Sequence, residues 1–551
     1  MAKRASHVLV ETLALHDVDR FFCVPGESYL GFMDALYDDP KIHGVTCRHE
    51  GGAAWMALAD SKLTGRPGVV FASRGPGATH ASVALFSAAR GAMPLVAMFG
   101  QVDRHLIEKG AGQEIDYKGV FGSFCKSVEQ VNQAERLPEI VARAFYLAQS
   151  GTPGPVVVAL PTDVLMADIE AAPRGPNSKW RAAPNEADVS LVADALAEAK
   201  RPMMIVGGEC AWEHARAPLQ EAAERFAIPV MPSYEHQDCF SHDHPNYAGE
   251  LGIRPPGPIR ETAQTADLIL AVGTRMHDKA SLGFSVPAEG QRLIHVYPDA
   301  DIIGKLFPTE HGVVADAGLF LKSLAERNAP AADDDRKAWL KRSHDAYMEF
   351  AAFTPRDQED GIDFGHVVKA VGEQIPDDGV VTIDAGSFGT WVNQRFPYKN
   401  TMRLLGSEAG AMSMGIPAAV AAGIRYPDRQ VVCFVGDGGA LMSGPEIATA
   451  IKENAKIRVF VSNNGNYGTI RLHQEMHHPS RTTGINDLTN PDFAAYGASF
   501  GALGLKIEAP EDAPGVVEQA FAHDGPVIVD VNTSLETISA LTTISALRAA
   551  E

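Results

Sequence analysis

Two apolar runs joined by one amphipathic stretch constrain this chain more than any other feature. Val431 to Val435 runs into Gly436-Asp437-Gly438-Gly439, and Ile457 to Val461 runs into Asn463-Asn464. The pattern reads as strand, turn, helix, strand, turn, a βαβ crossover. Ser443, with Pro445 and Glu446 behind it, predicts a capping-box start for the helix. Both strands of such a unit end at the same edge of a parallel sheet, so Asp437 and Asn464 are expected side by side. One carboxylate, one amide oxygen and a loop carbonyl suit a hard cation such as Mg²⁺ that keeps bonds to a phosphate. Gly436, Gly438 and Gly439 let backbone N–H groups approach that phosphate, with a helix start behind them. Either turn alone is ordinary loop chemistry. Each directly follows an apolar strand and one helix separates them, and that combination points to a metal-diphosphate site.

The chain of 551 residues is long enough for three domains. Its formal net charge of −21 disfavours nucleic acid or an anionic membrane surface as partner. The six cysteines, at 23, 47, 125, 210, 239 and 433, form no CxxC pair and read as reduced core residues of a cytoplasmic protein. The N-terminal stretch is amphipathic and partly acidic, unlike a signal peptide, and no apolar run reaches membrane-spanning length.

The fold class expected is α/β, with three open, mostly parallel, doubly wound domains. Residues 1–170 alternate helical and strand patterns, with strands at Arg20 to Val24, Gly68 to Ala72, Leu95 to Phe99 and Val156 to Leu160. Pro173 to Ser178 is linker-like. A second domain over 185–330 has strands at Met203 to Val206, Leu268 to Val272 and Leu293 to Tyr297. An acidic, small-residue break spans Ala329 to Arg336, and a third domain occupies 355–551 with a last strand at Pro526 to Val531.

A second motif lies in the first domain. Arg48-His49-Glu50-Gly51-Gly52-Ala53-Ala54 follows a short strand, and Thr64-Gly65-Arg66-Pro67-Gly68-Val69 and Gly75-Pro76-Gly77-Ala78-Thr79 come after it. Together with the Gly436 to Asn464 stretch, these segments resemble the thiamine-diphosphate enzymes, in particular the acetolactate synthase branch (large catalytic subunit). The turn at Val24-Pro25-Gly26, Gln113-Glu114, MIVGGEC at 204–210, AVGTRMHD at 271–278 and GAMSMGIPAA at 410–419 fall in the same order. The resemblance therefore covers nearly the whole chain.

It implies pyrimidine-binding, central and diphosphate-binding domains and a set of roles. Asp437, Asn464 and the carbonyl of Asn466 would hold Mg²⁺. Gly386-Ser387-Phe388, Gly436, Gly438 and Gly439 would cradle the diphosphate, with Pro25 and Tyr467 also at the cofactor. Gly410 and Met412 would clamp the aminopyrimidine. Glu50 would hydrogen-bond its N1′ and promote loss of the C2 proton, and a carboxyl pressed on an apolar ring is expected to have a raised pKa. Gln113 matches a pocket glutamine. Substrates would be a small 2-oxo acid and a carbonyl acceptor, with decarboxylation followed by carboligation. A non-oxidative decarboxylase or C–C lyase on the same cofactor is the alternative reading, and a catalytically silent binding relative the third. A homodimer or homotetramer with the active site between subunits is expected.

Several residues depart from the family. Glu27 and Ser28 replace small residues, Gly112 replaces a phenylalanine, and Gly439 stands where serine is common. Tyr467 to His473, with His477 and His478, replaces a tryptophan-containing segment; the histidines read either as proton relays or as a solvated helix face. Glu209 replaces the third glycine of the flavin-contacting turn and Met276-His277 replaces Phe-Asp, while Arg275 is kept, so no tightly bound FAD is expected. Lys126 reads as an exposed lysine. His49 is expected to point away from Glu50 along a strand.

Overall fold

The computed structural model describes every residue except Met1, Pro40, Lys179, Asn400, Ala550 and Glu551. Lys3–Arg4 (β1) pairs antiparallel with Asp168–Ile169 (β8) and ties down the two ends of the first domain. Between them lie Arg20–Cys23 (β2), His43–Thr46 (β3), Gly68–Ala72 (β4), Leu95–Gln101 (β5), Ser127–Gln130 (β6) and Pro155–Pro161 (β7). They form one six-stranded sheet in the order β3-β2-β4-β5-β7-β6, with every pairing parallel. The central strands β4, β5 and β7 are buried along their whole length, which is why their sequences are continuous apolar runs rather than alternating ones.

The central domain has Pro202–Val206 (β9), Val230–Pro232 (β10), Leu268–Val272 (β11), Arg292–Tyr297 (β12) and His311–Val314 (β13) in the parallel order β10-β9-β11-β12-β13. The third domain has Val380–Ile383 (β14), Arg403–Leu405 (β15), Val431–Gly436 (β16), Ile457–Asn463 (β17), Leu503–Ile507 (β18) and Val527–Asn532 (β19). Their order is β15-β14-β16-β17-β19-β18, again all parallel. The expected α/β class with three mostly parallel sheets is the observed one.

The segment read as a break is irregular over 329–333, and the next helix begins at its acidic end. Asp333 accepts a hydrogen bond from the Arg336 N–H and caps an 18-residue helix, Asp334–Ala351, that packs Trp339 and Tyr347 into the central core. Acidic residues at a helix start stabilise it, so the acidic end of this segment also caps the helix that follows.

One core cluster joins the first and third domains. Helix Glu50–Thr64 is buried from Gly51 to Leu63 and packs against helix Gly415–Arg425, both rich in glycine and alanine, so the two axes can approach closely. Trp55, 1% exposed, lies in this seam and donates its indole N–H to Ser413 Oγ at 3.1 Å. Arg425 bridges Asp60 and Asp19 at the end of the same seam. Among the described residues no helix is long and apolar enough to cross a membrane.

Candidate active site

In the third sheet the chain leaves β14 toward one edge and β16 toward the other, so the turns after these two strands open a crevice at their C-terminal ends. The turn after β14 carries Asp384, Gly386 and Ser387; the turn after β16 carries Gly436 and Asp437; that after the neighbouring β17 carries Asn464 and Asn466. All of these except Asp384, which lies behind the wall, share one cavity of about 380 Å³, together with Phe388, Gly410, Met412, Gly438, Gly439 and Tyr467. All the positions expected at the diphosphate, the metal and the pyrimidine clamp are thereby brought together.

Asp437 is 3% exposed and begins a short helix, with Gly436 as its N-cap. The helix starts six residues before the expected capping box: Ser443 makes no capping bond, and Glu446 does a different job. Its carboxylate accepts the backbone N–H groups of Arg48 and His49 at 3.1 Å, pinning the first-domain turn that carries Glu50. Asp437 Oδ2 and Asn464 Oδ1 both accept from the Asn466 N–H, at 3.2 and 3.1 Å. Two hard oxygens therefore face one point. Burial pushes the Asp437 carboxyl above the ordinary carboxylate range, opposed by hydrogen bonds from Gly438 N–H and the Asn490 amide. A carboxylate buried in this way gains from a cation. The Asn466 side-chain oxygen is buried without a partner among the described residues, and its amide donates to Asp487 at 2.8 Å.

The glycines are set by close approach. A Cβ at Gly438 would meet the Tyr467 ring at 2.5 Å, and one at Gly386 would meet the Phe388 ring at 2.2 Å. A Cβ at Gly439 would lie 2.3 Å from Asp384 Oδ2. The place of the family's serine is thus taken by a carboxylate from another strand. Asp384 accepts the N–H groups of Ser413 and Gly415 at 2.8 and 2.6 Å, and burial pushes its pKa up to about 6. It ties the 410–415 loop, with Gly410 at φ +67° and Ser413 at φ +77°, to the diphosphate turn. Asp384 escaped the sequence reading, as did Asn490, which donates to Asp437 Oδ2 at 2.8 Å and Asn463 Oδ1 at 2.9 Å. Neither belongs to a motif; the only signal was a polar residue directly after an apolar strand and an Asn-Pro pair in a loop.

Pro25, Glu50 and Gln113 do not line this cavity. They belong to the first domain, Pro25 after β2 and Glu50 after β3. Glu50 is the first residue of a helix rather than a strand end, and His49 is that helix's cap. His49 does not point away: its ring stacks on His80 with centroids 4.5 Å apart, and His80 Nδ1 lies 2.9 Å from Glu50 Oε2. Gln113 is exposed at φ +68°, and its carbonyl accepts from Gly75 N–H at 3.0 Å.

Other expectations resolve locally. Lys126 is exposed, as read, with Nζ donating to the carbonyls of Ser150 and Thr152, and partial desolvation pushes its pKa down to about 8. His473 lines the cavity and stacks on His477, whereas His478 does not reach it. The central domain contributes Tyr234, Glu250, Ile253 and Arg254 to the wall, and the C-terminal tail contributes Ser539, Leu541 and Thr542, none of which the sequence had marked. Arg275 is committed to the carbonyls of Ala89 and Arg90 and to Glu408, which also meets His236 at 2.7 Å and His277 at 3.1 Å.

Comparison with known proteins gives a consistent picture. The N-terminal binding domain of thiamine pyrophosphate enzymes matches residues 3–120, their central domain 189–324 and their C-terminal binding domain 384–531. An acetolactate synthase of Mycobacterium bovis is 31% identical over 95% of this chain and 87% of its own length. The acetolactate synthase isozyme 2 large subunit of Escherichia coli is 29% identical over 95% of this chain and 94% of its own. A probable acetolactate synthase large subunit of Methanocaldococcus jannaschii is 28% identical over 96% and 91%.

Proposed function

We propose that this chain, which belongs to the thiamine pyrophosphate enzyme family, is an acetolactate synthase-like enzyme: it decarboxylates a small 2-oxo acid and joins the remaining fragment to a second carbonyl. The observation that carries this reading is the convergence of Asp437, Asn464 and Asn466 with the glycine turns on one cavity at the split in the third sheet. The oxygens fit Mg²⁺, which would be held by Asp437, the Asn464 side chain and the Asn466 carbonyl. The Gly386-Ser387 and Gly436 to Gly439 turns line the same cavity, where their backbone N–H groups could meet a diphosphate. Bound thiamine diphosphate supplies an acidic C–H and a ring that accepts the electrons released as CO₂ leaves.

The chain's own residues do the rest. Gly410 and Met412 orient the pyrimidine, with Asp384 fixing their loop. Glu50 holds the proton at N1′, and His80, within hydrogen-bond distance, orients its carboxyl. The apolar wall excludes water, which favours loss of charge from a carboxylate. Glu50 lies outside the cavity of its own chain, so the working site needs a second copy that brings its Glu50 to this cavity, in a homodimer or a dimer of dimers. No tightly bound FAD is part of this reading, because Arg275 is already engaged and Glu209 adds a carboxyl at the turn. A cytoplasmic location follows from the same reading.

The test is calorimetric titration with thiamine diphosphate, with and without Mg²⁺, followed by turnover of a panel of 2-oxo acids with products weighed by mass spectrometry. A joined product supports carboligation. An aldehyde alone would favour the decarboxylase reading, for which His473 at the cavity wall is the one specific pointer. Absence of Mg²⁺-dependent cofactor binding overturns the proposal.

A further inference from the structure

We propose that Glu250 is a substrate-contacting acid, donating a hydrogen bond from the central-domain wall of the cavity to an oxygen of the bound oxo substrate. The proposal rests on the function proposed above. It concerns a residue that no motif marked and that the anchoring groups do not need.

Glu250 follows β10 on a loop held back against that strand. Leu251 N–H donates to the Pro232 carbonyl at 2.8 Å, and Leu251 bridges to Ser233. The backbone bearing Glu250 is therefore fixed, while Gly249 at φ +92° provides the bend before it. The carboxyl folds back over Gly252: a Cβ there would lie 1.7 Å from Glu250 Oε1, so only glycine leaves room for it. The result is a built nest for a carboxyl, 6% exposed, on the wall of the cavity that Gly410, Met412 and Asp437 also line.

What the nest lacks is a partner. Glu250 Oε1 is buried with no hydrogen-bond partner among the described residues. Such a group is costly in a folded chain; Oε1 is sealed against Gly252, so it is the other carboxyl oxygen, on the cavity side, that can meet a ligand atom. The nearby cations are engaged elsewhere. Lys279 Nζ donates to the Glu408 carbonyl at 2.9 Å and sits 4.1 Å from the centre of the Tyr234 ring. Lys62 Nζ donates to the Gly406 carbonyl at 3.1 Å. A second buried carboxyl, Glu235, lies behind, folded against Gly406.

Burial first, and then Glu235, push the Glu250 carboxyl well above the ordinary range, with Lys279 opposing. A shift in that direction favours the protonated form, which can donate a hydrogen bond. Its fitting complement is an uncharged oxygen, the carbonyl or nascent hydroxyl of an oxo substrate. Arg254, four residues on and on the same wall, offers the cation that a substrate carboxylate needs.

The experiment uses the full-length protein loaded with thiamine diphosphate and Mg²⁺, as parent, Glu250→Gln and Glu250→Ala. The probe is the methyl phosphonate analogue of whichever oxo acid the panel shows to be consumed. Its dissociation constant is read by calorimetry, beside cofactor affinity and thermal midpoint. A parent that binds no cofactor or consumes no oxo acid would defeat the function proposed above, and this proposal with it. With those in place, Glu250→Ala should bind the probe about tenfold more weakly with cofactor affinity unchanged. Glu250→Gln, which keeps an N–H donor, should stay within about threefold of the parent. Equal affinity in the Ala variant, or a Gln variant as weak as Ala, overturns the proposal. Should Glu250→Ala fail to fold or to load, isotope-edited infrared spectra of the parent decide. A protonated-carboxyl C=O band that shifts on adding the probe and is missing in Glu250→Gln supports it; a band that does not move overturns it.

Discussion

The first and third sheets have the same architecture and opposite chemistry. Numbered within each domain, both run second, first, third, fourth, sixth, fifth strand, all parallel. Both therefore open a crevice between the first and third strands. In the third domain the crevice holds buried oxygens and glycines pressed on aromatic rings; in the first it holds Pro25-Gly26 and Gly75-Pro76-Gly77, with Glu50 beside them. Strand order fixes where a ligand can sit, and turn residues decide what is done to it. In the function proposed above, one sheet supplies an anchor and the other a proton-handling carboxyl, and each lacks what the other has.

Variants can break this comparison on either side. The largest effect is expected at Glu50. Glu50→Gln should fold and bind cofactor with Mg²⁺, yet slow exchange of the cofactor's C2–H by roughly 10²- to 10⁴-fold in quenched proton NMR. Asp437→Ala should act on the other side. Its affinity for the Mg²⁺-cofactor pair should fall by more than the roughly 10- to 100-fold typical of losing an outer-shell partner, with excess Mg²⁺ rescuing it only in part. Asn490→Ala removes only the amide that orients Asp437 and should show that roughly 10- to 100-fold loss in calorimetry. Gly439→Ser, which would restore the family's residue, should instead lower stability by about 1–3 kcal/mol in denaturant titration, because its Cβ would displace Asp384.

The smallest effect concerns the tail that closes the third crevice and has no counterpart in the first. Arg548 on the C-terminal helix, together with Arg471, holds Glu475 with its pKa down at about 2, from an ordinary 4.5. A carboxyl depressed in the folded state stabilises it above the unfolded pKa and loses that contribution as pH falls through the folded one. Docking of the tail should thus weaken between pH 4.5 and about 2. Proteolysis of the C-terminus across that window should accelerate, and Glu475→Gln should abolish the dependence.

Much of this was legible in the chain. The buried parallel strands are continuous apolar runs, and Leu268–Val272 was read to the residue. Most edge strands were missed. Ser127–Gln130 is nowhere fully buried, so its composition is not that of a core strand. The turns proposed for the metal and the diphosphate were visible because strand and turn are adjacent in sequence. Asp384 and Asn490 were not, because each acts on a turn 27 or more residues away, and Glu250 was not, because only the folded chain brings it to the cavity wall. Glu446 shows the reverse error: a local capping pattern was read where the side chain reaches another domain.

The central claim is that Glu50 of one copy serves the Asp437 cavity of another, and mixing two inactive variants tests it most directly. Glu50→Gln and Asp437→Ala are unfolded together, refolded as a mixture and assayed against each variant alone. If every site is built from two copies, half the sites in each mixed dimer are intact, and random pairing should restore about a quarter of the parent rate. If Glu50 and Asp437 of the same chain form the site, every site in the mixture carries one defect, and the mixture should be no more active than its parts.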